Sequence, residues 1–121
     1  FTEGEEFTAW VRITSNHRGY FEFSLCPLET PDAIETEECF KENPVLTVDG
    51  ESKWVLPRYD NDDYAIRLVL PKGLTCEHCA LRWHWWTGNS SGYCDDGSDR
   101  LGCGPQETFR TCSDIAIFGK P

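Results

Sequence analysis

Hydrophobic and polar residues alternate along most of this 121-residue chain. An apolar residue at every second position is typical of a β-strand with one buried face, since successive side chains point to opposite sides. The clearest cases are residues 6–14 and 63–71, and similar patterns predict strands over 20–26, 44–50, 52–57, 79–88 and 111–119. Six or seven short strands with turn signals between them, and no long amphipathic helix, predict an all-β chain. We expect one domain over residues 1–121, an antiparallel β-sandwich.

The connections between these strands differ in character. Asp49-Gly50 predicts a hairpin turn that joins 44–50 to 52–57. The acidic segment 27–43 contains prolines and suits a loop with one helical turn. Residues 88–107 are rich in Gly, Ser and Asp and predict a long loop, which would need disulfides to hold it.

Seven cysteines in a short chain indicate a disulfide framework formed in an oxidising compartment, and therefore a secreted protein. The sequon at Asn89 points the same way. Because seven is odd, one cysteine has no partner in this chain, and we expect it to bond another chain or a segment outside this sequence. Cys26 and Cys39 flank the acidic segment and are a plausible pair, whereas the remaining pairing stays open. The cysteines are Cys26, Cys39, Cys76, Cys79, Cys94, Cys103 and Cys112.

Two clusters in the C-terminal half could hold a metal. Cys76 and Cys79 form a C-x2-C pair that, with Cys94 and Cys103, could bind zinc. The sequon and the acidic, glycine-rich loop favour disulfides instead. The carboxylates of "DDGSD" (95–99) could contribute to a calcium site, but the remainder of a twelve-residue calcium loop is missing. A solvated turn is the favoured interpretation.

Charge and aromatic content restrict the partners. A net charge of −10 argues against binding of nucleic acid or an anionic membrane, and no apolar run reaches the ~20 residues of a membrane span. A neutral polysaccharide is compatible with this charge. The "WHWW" run (83–86) could offer a sugar-stacking platform, but its alternation favours Trp83 and Trp85 as core residues, with His84 or Trp86 partly exposed. No motif selects a glycosidase-type carboxylate pair from the 21 acidic residues.

Three stretches together resemble one family. "NHRGYFEFSLCP" (16–27), "LPKGLTCEHCALRWHWWTGNS" (70–90) and "GCGPQETFRTCSDIAI" (102–117) are similar, in matching order, to the lytic polysaccharide monooxygenases of auxiliary-activity family 15, also described as chitin-binding type-4 domains. The resemblance implies an immunoglobulin-like β-sandwich. It also implies a copper "histidine brace" of three nitrogens: the amino group and ring of an N-terminal histidine, and the ring of a second histidine. Reduced copper there activates oxygen or peroxide to oxidise a glycosidic C–H bond.

Carried over by motif, His17 matches the second brace histidine and Phe109 the axial aromatic residue, with Glu107 as a group near the metal. The sequence begins with Phe1 rather than His. Either the chain is a fragment or processed piece of a longer protein, or it is a shortened relative without the brace. We expect it to bind copper only if the brace is completed from elsewhere, and otherwise to use no cofactor.

The leading hypothesis is therefore a secreted domain that binds or associates with chitin or a cellulose-like polysaccharide, with Tyr20, Trp86 and Tyr93 stacking on sugars. The first alternative is an active copper monooxygenase whose N-terminal histidine segment is absent from this sequence. The second is a structural component of an extracellular matrix or filament, linked through the odd cysteine.

Overall fold

The computed structural model describes residues 1–30, 32–58, 60–88, 91–101 and 108–120. Nine strands and one short helix form in this part of the chain. They are β1 (Glu6–Arg12), β2 (Tyr20–Pro27), α1 (Glu37–Glu42), β3 (Pro44–Thr47), β4 (Trp54–Val55), β5 (Asp63–Val69), β6 (Cys76–Trp86), β7 (Ser91–Tyr93), β8 (Asp99–Leu101) and β9 (Thr108–Ile117).

The main sheet has the strand order β1-β5-β3-β2-β6-β9, with β4 also paired to β2, and every pairing is antiparallel. β3 connects the two halves of this sheet, since it pairs with both β2 and β5. The inner faces of the two halves pack against each other, as β5 and β2 contribute to one hydrophobic cluster. The all-β sandwich architecture expected from the alternation is thus confirmed.

The core follows the period of two. Tyr64, Ile66 and Leu68 on β5 are each at most 2% exposed, and they face Phe21 and Leu25 of β2 across the sandwich. Trp83 and Trp85 also point inward, whereas Arg82, His84 and Trp86 lie on the opposite face of β6.

That outer face of the sheet is covered in part by α1. The helix begins after Thr36, whose hydroxyl accepts a hydrogen bond from the backbone N–H of Cys39 (3.1 Å). Phe40 packs on Cys26 and Ala80, and a Cys26–Cys39 disulfide joins the helix to β2. A second disulfide links Cys76 and Cys79 at the start of β6, so these two thiols are not free to bind zinc.

Two connections differ from the sequence-based expectation. A turn does form around Gly50, whose N–H donates to the carbonyl of Thr47 (2.9 Å). The predicted hairpin is wrong, however, because β3 pairs with β2 and β5 while β4 pairs with β2. The predicted long loop over 88–107 contains the two-stranded antiparallel sheet β7–β8, a local hairpin that short polar strands do not reveal by alternation.

The described residues form no helix that is both long enough and apolar enough to cross a membrane.

Candidate functional site

The loop before β2 carries His17 in a conformation that few sequences allow. Arg18 and Gly19 both have positive φ angles, of 60° and 87°. A Cβ atom on Gly19 would overlap the carbonyl oxygen of Trp86 and lie 2.9 Å from the Cα of Thr87. Position 19 therefore requires glycine twice over, for its backbone angle and for this close approach.

Hydrogen bonds from three other segments fix the backbone of this loop. The indole N–H of Trp85 donates to the carbonyl of Arg18 (2.7 Å), and the N–H of Gly88 donates to the carbonyl of His17 (2.9 Å). The N–H of Leu56 donates to the carbonyl of Gly19 (3.0 Å). Three consecutive carbonyl groups thus accept hydrogen bonds from β6, from the residue after β4 and from a residue after β6, so His17 is presented from a rigid support.

Asn16 holds the other side of the loop. Its side-chain oxygen accepts from the N–H of Arg18 (2.8 Å), and its amide donates to the carbonyl of Asp60 (2.9 Å). Its backbone N–H donates to the side chain of Asn61 (2.8 Å). Asn16 is a residue of the candidate site that strand alternation does not reveal, and the available sequence signal is that Asn is a common turn residue whose side chain bonds the backbone two residues on.

The His17 ring lies beside two aromatic rings. Its centroid is 5.6 Å from that of Trp85 and 6.0 Å from that of Phe109, with interplanar angles of 23° and 13°. Trp85 and Phe109 are register partners on β6 and β9. Trp85 is buried, whereas Phe109 is 41% exposed. The structure thus brings together His17 and Phe109, two residues 92 positions apart that the sequence analysis assigned to one copper site.

These residues fit one position of a three-nitrogen copper site and do not complete it. Copper favours nitrogen-rich ligand sets, and His17 supplies one imidazole. Among the residues that the structure describes, no three His, Cys, Asp or Glu side chains form a group that could hold a metal. The amino group of Phe1 donates to the carbonyl of Ala116 (3.2 Å), seven residues along β9 from Phe109. At ~3.3 Å per strand residue, this is roughly 23 Å from the Phe109 end.

The proposed sugar-stacking residues lie on the other face of the same sheet. Tyr20 and Trp86 are cross-strand partners whose rings stack at 6.3 Å, and Lys53 Nζ lies 4.7 Å above the Tyr20 ring. Consecutive residues of a strand point to opposite faces, so Trp86 points away from the face that Trp85 shares with His17. The structure therefore presents two aromatic surfaces at this end of the sheet, not one.

A charged cluster that the sequence analysis missed lies between α1 and the sheet. Glu37 accepts hydrogen bonds from both Arg82 (2.7 Å) and Arg110 (2.8 Å). The Arg82 guanidinium is nearly buried and lies 4.3 Å above the Phe40 ring. His84 is also buried and stacks on Trp86 at 4.4 Å. The alternation of "LRWHWW" placed Arg82 and His84 on one face, but only the fold brings Glu37 to them.

The electrostatics of this cluster follow from burial and pairing. The hydrogen bond from Arg82 is the main cause that lowers the pKa of Glu37. Burial, followed by the charges of Arg82 and Arg110, lowers the pKa of His84 to about 4. His84 is therefore a neutral imidazole at physiological pH, and its Nε2 atom has no hydrogen-bond partner within the described residues.

The remaining residues that the sequence singled out lie in the C-terminal third of the chain. Asp96 accepts from the N–H and hydroxyl of Ser98 (2.9 and 2.6 Å), as expected of a turn. Cys94 is disulfide-bonded, and within the described residues Cys112 is the free cysteine. Partial burial and nearby acids, Glu35 first, raise the pKa of the Cys112 thiol. Glu107, Asn89, Cys103 and the Tyr93 side chain lie outside the described residues.

Comparison with known proteins points to one family. Residues 1–115 match the model of the family described as "Lytic polysaccharide mono-oxygenase, cellulose-degrading". A solved structure titled "Lytic Polysaccharide Monooxygenase AA15 from Thermobia domestica in the Cu(I) State" is 39% identical, with a TM-score of 0.93 over 98% of this chain. The chain spans 61% of the length of that structure. A search of the curated proteins finds no match.

Proposed function

Since the chain belongs to the lytic polysaccharide monooxygenase family, we propose that it binds an insoluble polysaccharide, chitin or cellulose, outside the cell. The observation that supports this most is the exposed aromatic ring of Phe109 at the end of the sheet, in a chain 39% identical to an AA15 monooxygenase. The disulfides and the negative charge favour an extracellular, uncharged partner over a nucleic acid.

Binding is assigned to the exposed aromatic surface at the end of β6 and β9. Phe109 is 41% exposed at this end, and the half-buried Tyr20–Trp86 pair lies on the other side of the sheet. Aromatic rings contribute large apolar contact areas at little cost in side-chain entropy, which suits the faces of sugar rings. Whether one or both surfaces contact the polysaccharide is decided by substitution.

The test is adsorption to suspended chitin, cellulose and xylan. The concentration of protein that remains in solution measures the unbound fraction. Phe109→Ala and Trp86→Ala each weaken binding on the order of tenfold if their surfaces contact sugar. Trp10→Ala is the matched control, because Trp10 is 71% exposed and lies on β1, a strand that carries none of the residues assigned to sugar binding. Wild-type protein that stays in solution with all three polysaccharides would refute the proposal.

A second candidate is copper-dependent oxidation of the bound polysaccharide. It is favoured by the rigid presentation of His17, which a binding surface alone does not require. Bound copper would supply the oxygen-activating chemistry, with His17 as one nitrogen ligand and Phe109 beside it. The other nitrogens would come from residues beyond the 121 of this chain.

Copper(II) titration with electron paramagnetic resonance separates the two candidates. For this chain alone we expect weak binding with little change in His17→Ala. A one-equivalent tetragonal signal that His17→Ala abolishes, together with oxidised oligosaccharides released in the presence of a reductant, would establish the enzyme instead. Polysaccharide adsorption is measured on the same variants, so that loss of binding and loss of copper are read separately.

A further inference from the structure

An apolar groove separates the two edges of the main sheet. Strands β1 and β9 end the strand order at opposite sides, and the groove between them has a volume of about 470 Å³. Its walls are the inward side chains of β1 and β9, and its floor is formed by the β2 and β6 core. The central lining residues are Phe7, Val11, Phe23, Leu81, Trp83 and Ile115. The core of the sandwich therefore opens to the surface along one side.

One edge of β9 beside this groove has backbone N–H and C=O groups that pair with none of the described strands. In the described part of the chain, β9 pairs with β6 along one edge, and no strand pairs with the other edge between Thr108 and Ile115. Described residues occupy only the end of this edge. The carbonyl of Ala116 accepts from the amino group of Phe1, and the N–H and carbonyl of Phe118 bond to Phe1 and Glu3. Backbone groups alternate in direction along a strand, so those of Arg110, Cys112 and Asp114 also point outward. A long unprotected edge of this kind is rarely left unpaired in natural proteins.

We propose that a β-strand from the polypeptide N-terminal to Phe1 in the full-length protein occupies this groove and pairs with the free edge of β9. The Phe1 ring itself lines the groove, so a preceding segment would emerge there. Thr2 already pairs with Phe118 in parallel, and continuing that direction upstream leads along β9 toward Phe109. The similar monooxygenase structure has about two fifths of its length without a counterpart in this chain, ample for such a strand.

This inference does not rest on polysaccharide binding. It predicts that the strand contributes apolar side chains at alternate positions, toward Phe23, Leu81 and Trp83. A segment that follows β9 in parallel passes the Phe109 end of the sheet, which is also the His17 end.

Hydrogen exchange followed by NMR tests the proposal on the full-length product of the gene and on this 121-residue chain. The amides of Cys112 and Asp114 should exchange on the order of 100-fold more slowly in the full-length protein, relative to the amide of Leu25 in β2. Thr111→Lys in the full-length protein places a charge in the groove and should remove this protection. Thr108→Lys is the matched control, because Thr108 lies on the same strand outside the groove lining.

Three results would overturn the proposal. The first is equal exchange of the Cys112 and Asp114 amides in the two proteins. The second is a reading frame with no segment before Phe1 other than a cleaved signal. The third is protection of these amides in the 121-residue chain that grows with protein concentration, since this would identify a second copy as the partner.

Discussion

Gly19 provides the sharpest test of how the His17 loop is held. Replacing it with alanine places an L-residue at a φ of 87°, where the Cβ overlaps the carbonyl of Trp86. The backbone strain alone costs about 1–2 kcal/mol. Relief of the overlap moves the loop away from β6.

That movement threatens the hydrogen bonds which the loop carbonyls accept from Trp85, Gly88 and Leu56. Each contributes about 1 kcal/mol. With the strain included, Gly19→Ala should lower the free energy of unfolding by about 3–5 kcal/mol, which is near the upper end for a single substitution.

Gly50→Ala and Gly73→Ala are matched controls. Both glycines have similar φ angles, of 85° and 81°, and a Cβ on either would meet no atom within 4 Å. These variants should lose about 1–2 kcal/mol, the strain alone. Urea unfolding of the three variants at constant pH and salt gives the comparison.

The outcome has a clear alternative. If Gly19→Ala is no less stable than Gly50→Ala, the close approach to Trp86 does not hold the loop and the rigid presentation of His17 is refuted. If the difference appears, His17 NMR shifts in the variant should also move, whereas they should stay constant in Gly50→Ala.

The remaining predictions concern the outer face of the sheet. His84 stays neutral in the folded protein because burial lowers its pKa to about 4, whereas an unfolded chain protonates it near 6.5. The unfolded state then binds more protons between these values, so stability should fall by roughly 3 kcal/mol as pH drops from 6.5 to 4. His84→Gln should flatten that part of the urea-derived stability profile, and an unchanged slope would count against the assignment. The lowered pKa of Glu37 also makes the protein less stable as pH falls, at lower pH than His84 does. Glu22 and Lys41 are the other charged residues that line this side of the sheet near His84. Arg82→Met should lower the free energy of unfolding by about 2–3 kcal/mol, because it removes the buried partner of Glu37. Arg110→Met should lower it by under about 1 kcal/mol, since Arg110 is half-exposed. Equal losses of stability in thermal unfolding would contradict this ranking. The double variant Cys26→Ser/Cys39→Ser should lower the free energy of unfolding by about 2–4 kcal/mol. It should also loosen α1, so that the amide of Phe40 exchanges faster than in wild type. Unchanged exchange at Phe40 would show that packing alone fixes the helix.

Alternation in the sequence was sufficient to locate the strands of the main sheet and their inward faces, but not the short β7–β8 hairpin. The buried residues of β5 are Tyr64, Ile66 and Leu68, at alternate positions, and Leu70 continues the pattern just after the strand. The inward direction of Trp83 and Trp85 also followed from the pattern. This works because a strand with one buried face has a fixed period, whatever its partners are.

Pairing between strands was not predictable in the same way. Asp49-Gly50 marked a turn correctly, yet the two segments that flank it pair with β2 and β5 instead of with each other. A turn signal specifies the local backbone alone, while the choice of partner depends on burial across the whole sandwich.

The sequence by itself determined the strand pattern of the main sheet and the resemblance to the family, and it predicted His17 and Phe109 as neighbours in a copper site. Only the tertiary structure decided what holds and surrounds them: the carbonyl contacts of the loop, the separation of Phe109 from the Tyr20–Trp86 pair, and the Glu37–Arg82–Arg110 cluster. It also decided that the core opens between β1 and β9. The physical reason is that periodicity records which side of a strand is buried, whereas these contacts join residues tens of positions apart and exist only once the sheets have packed.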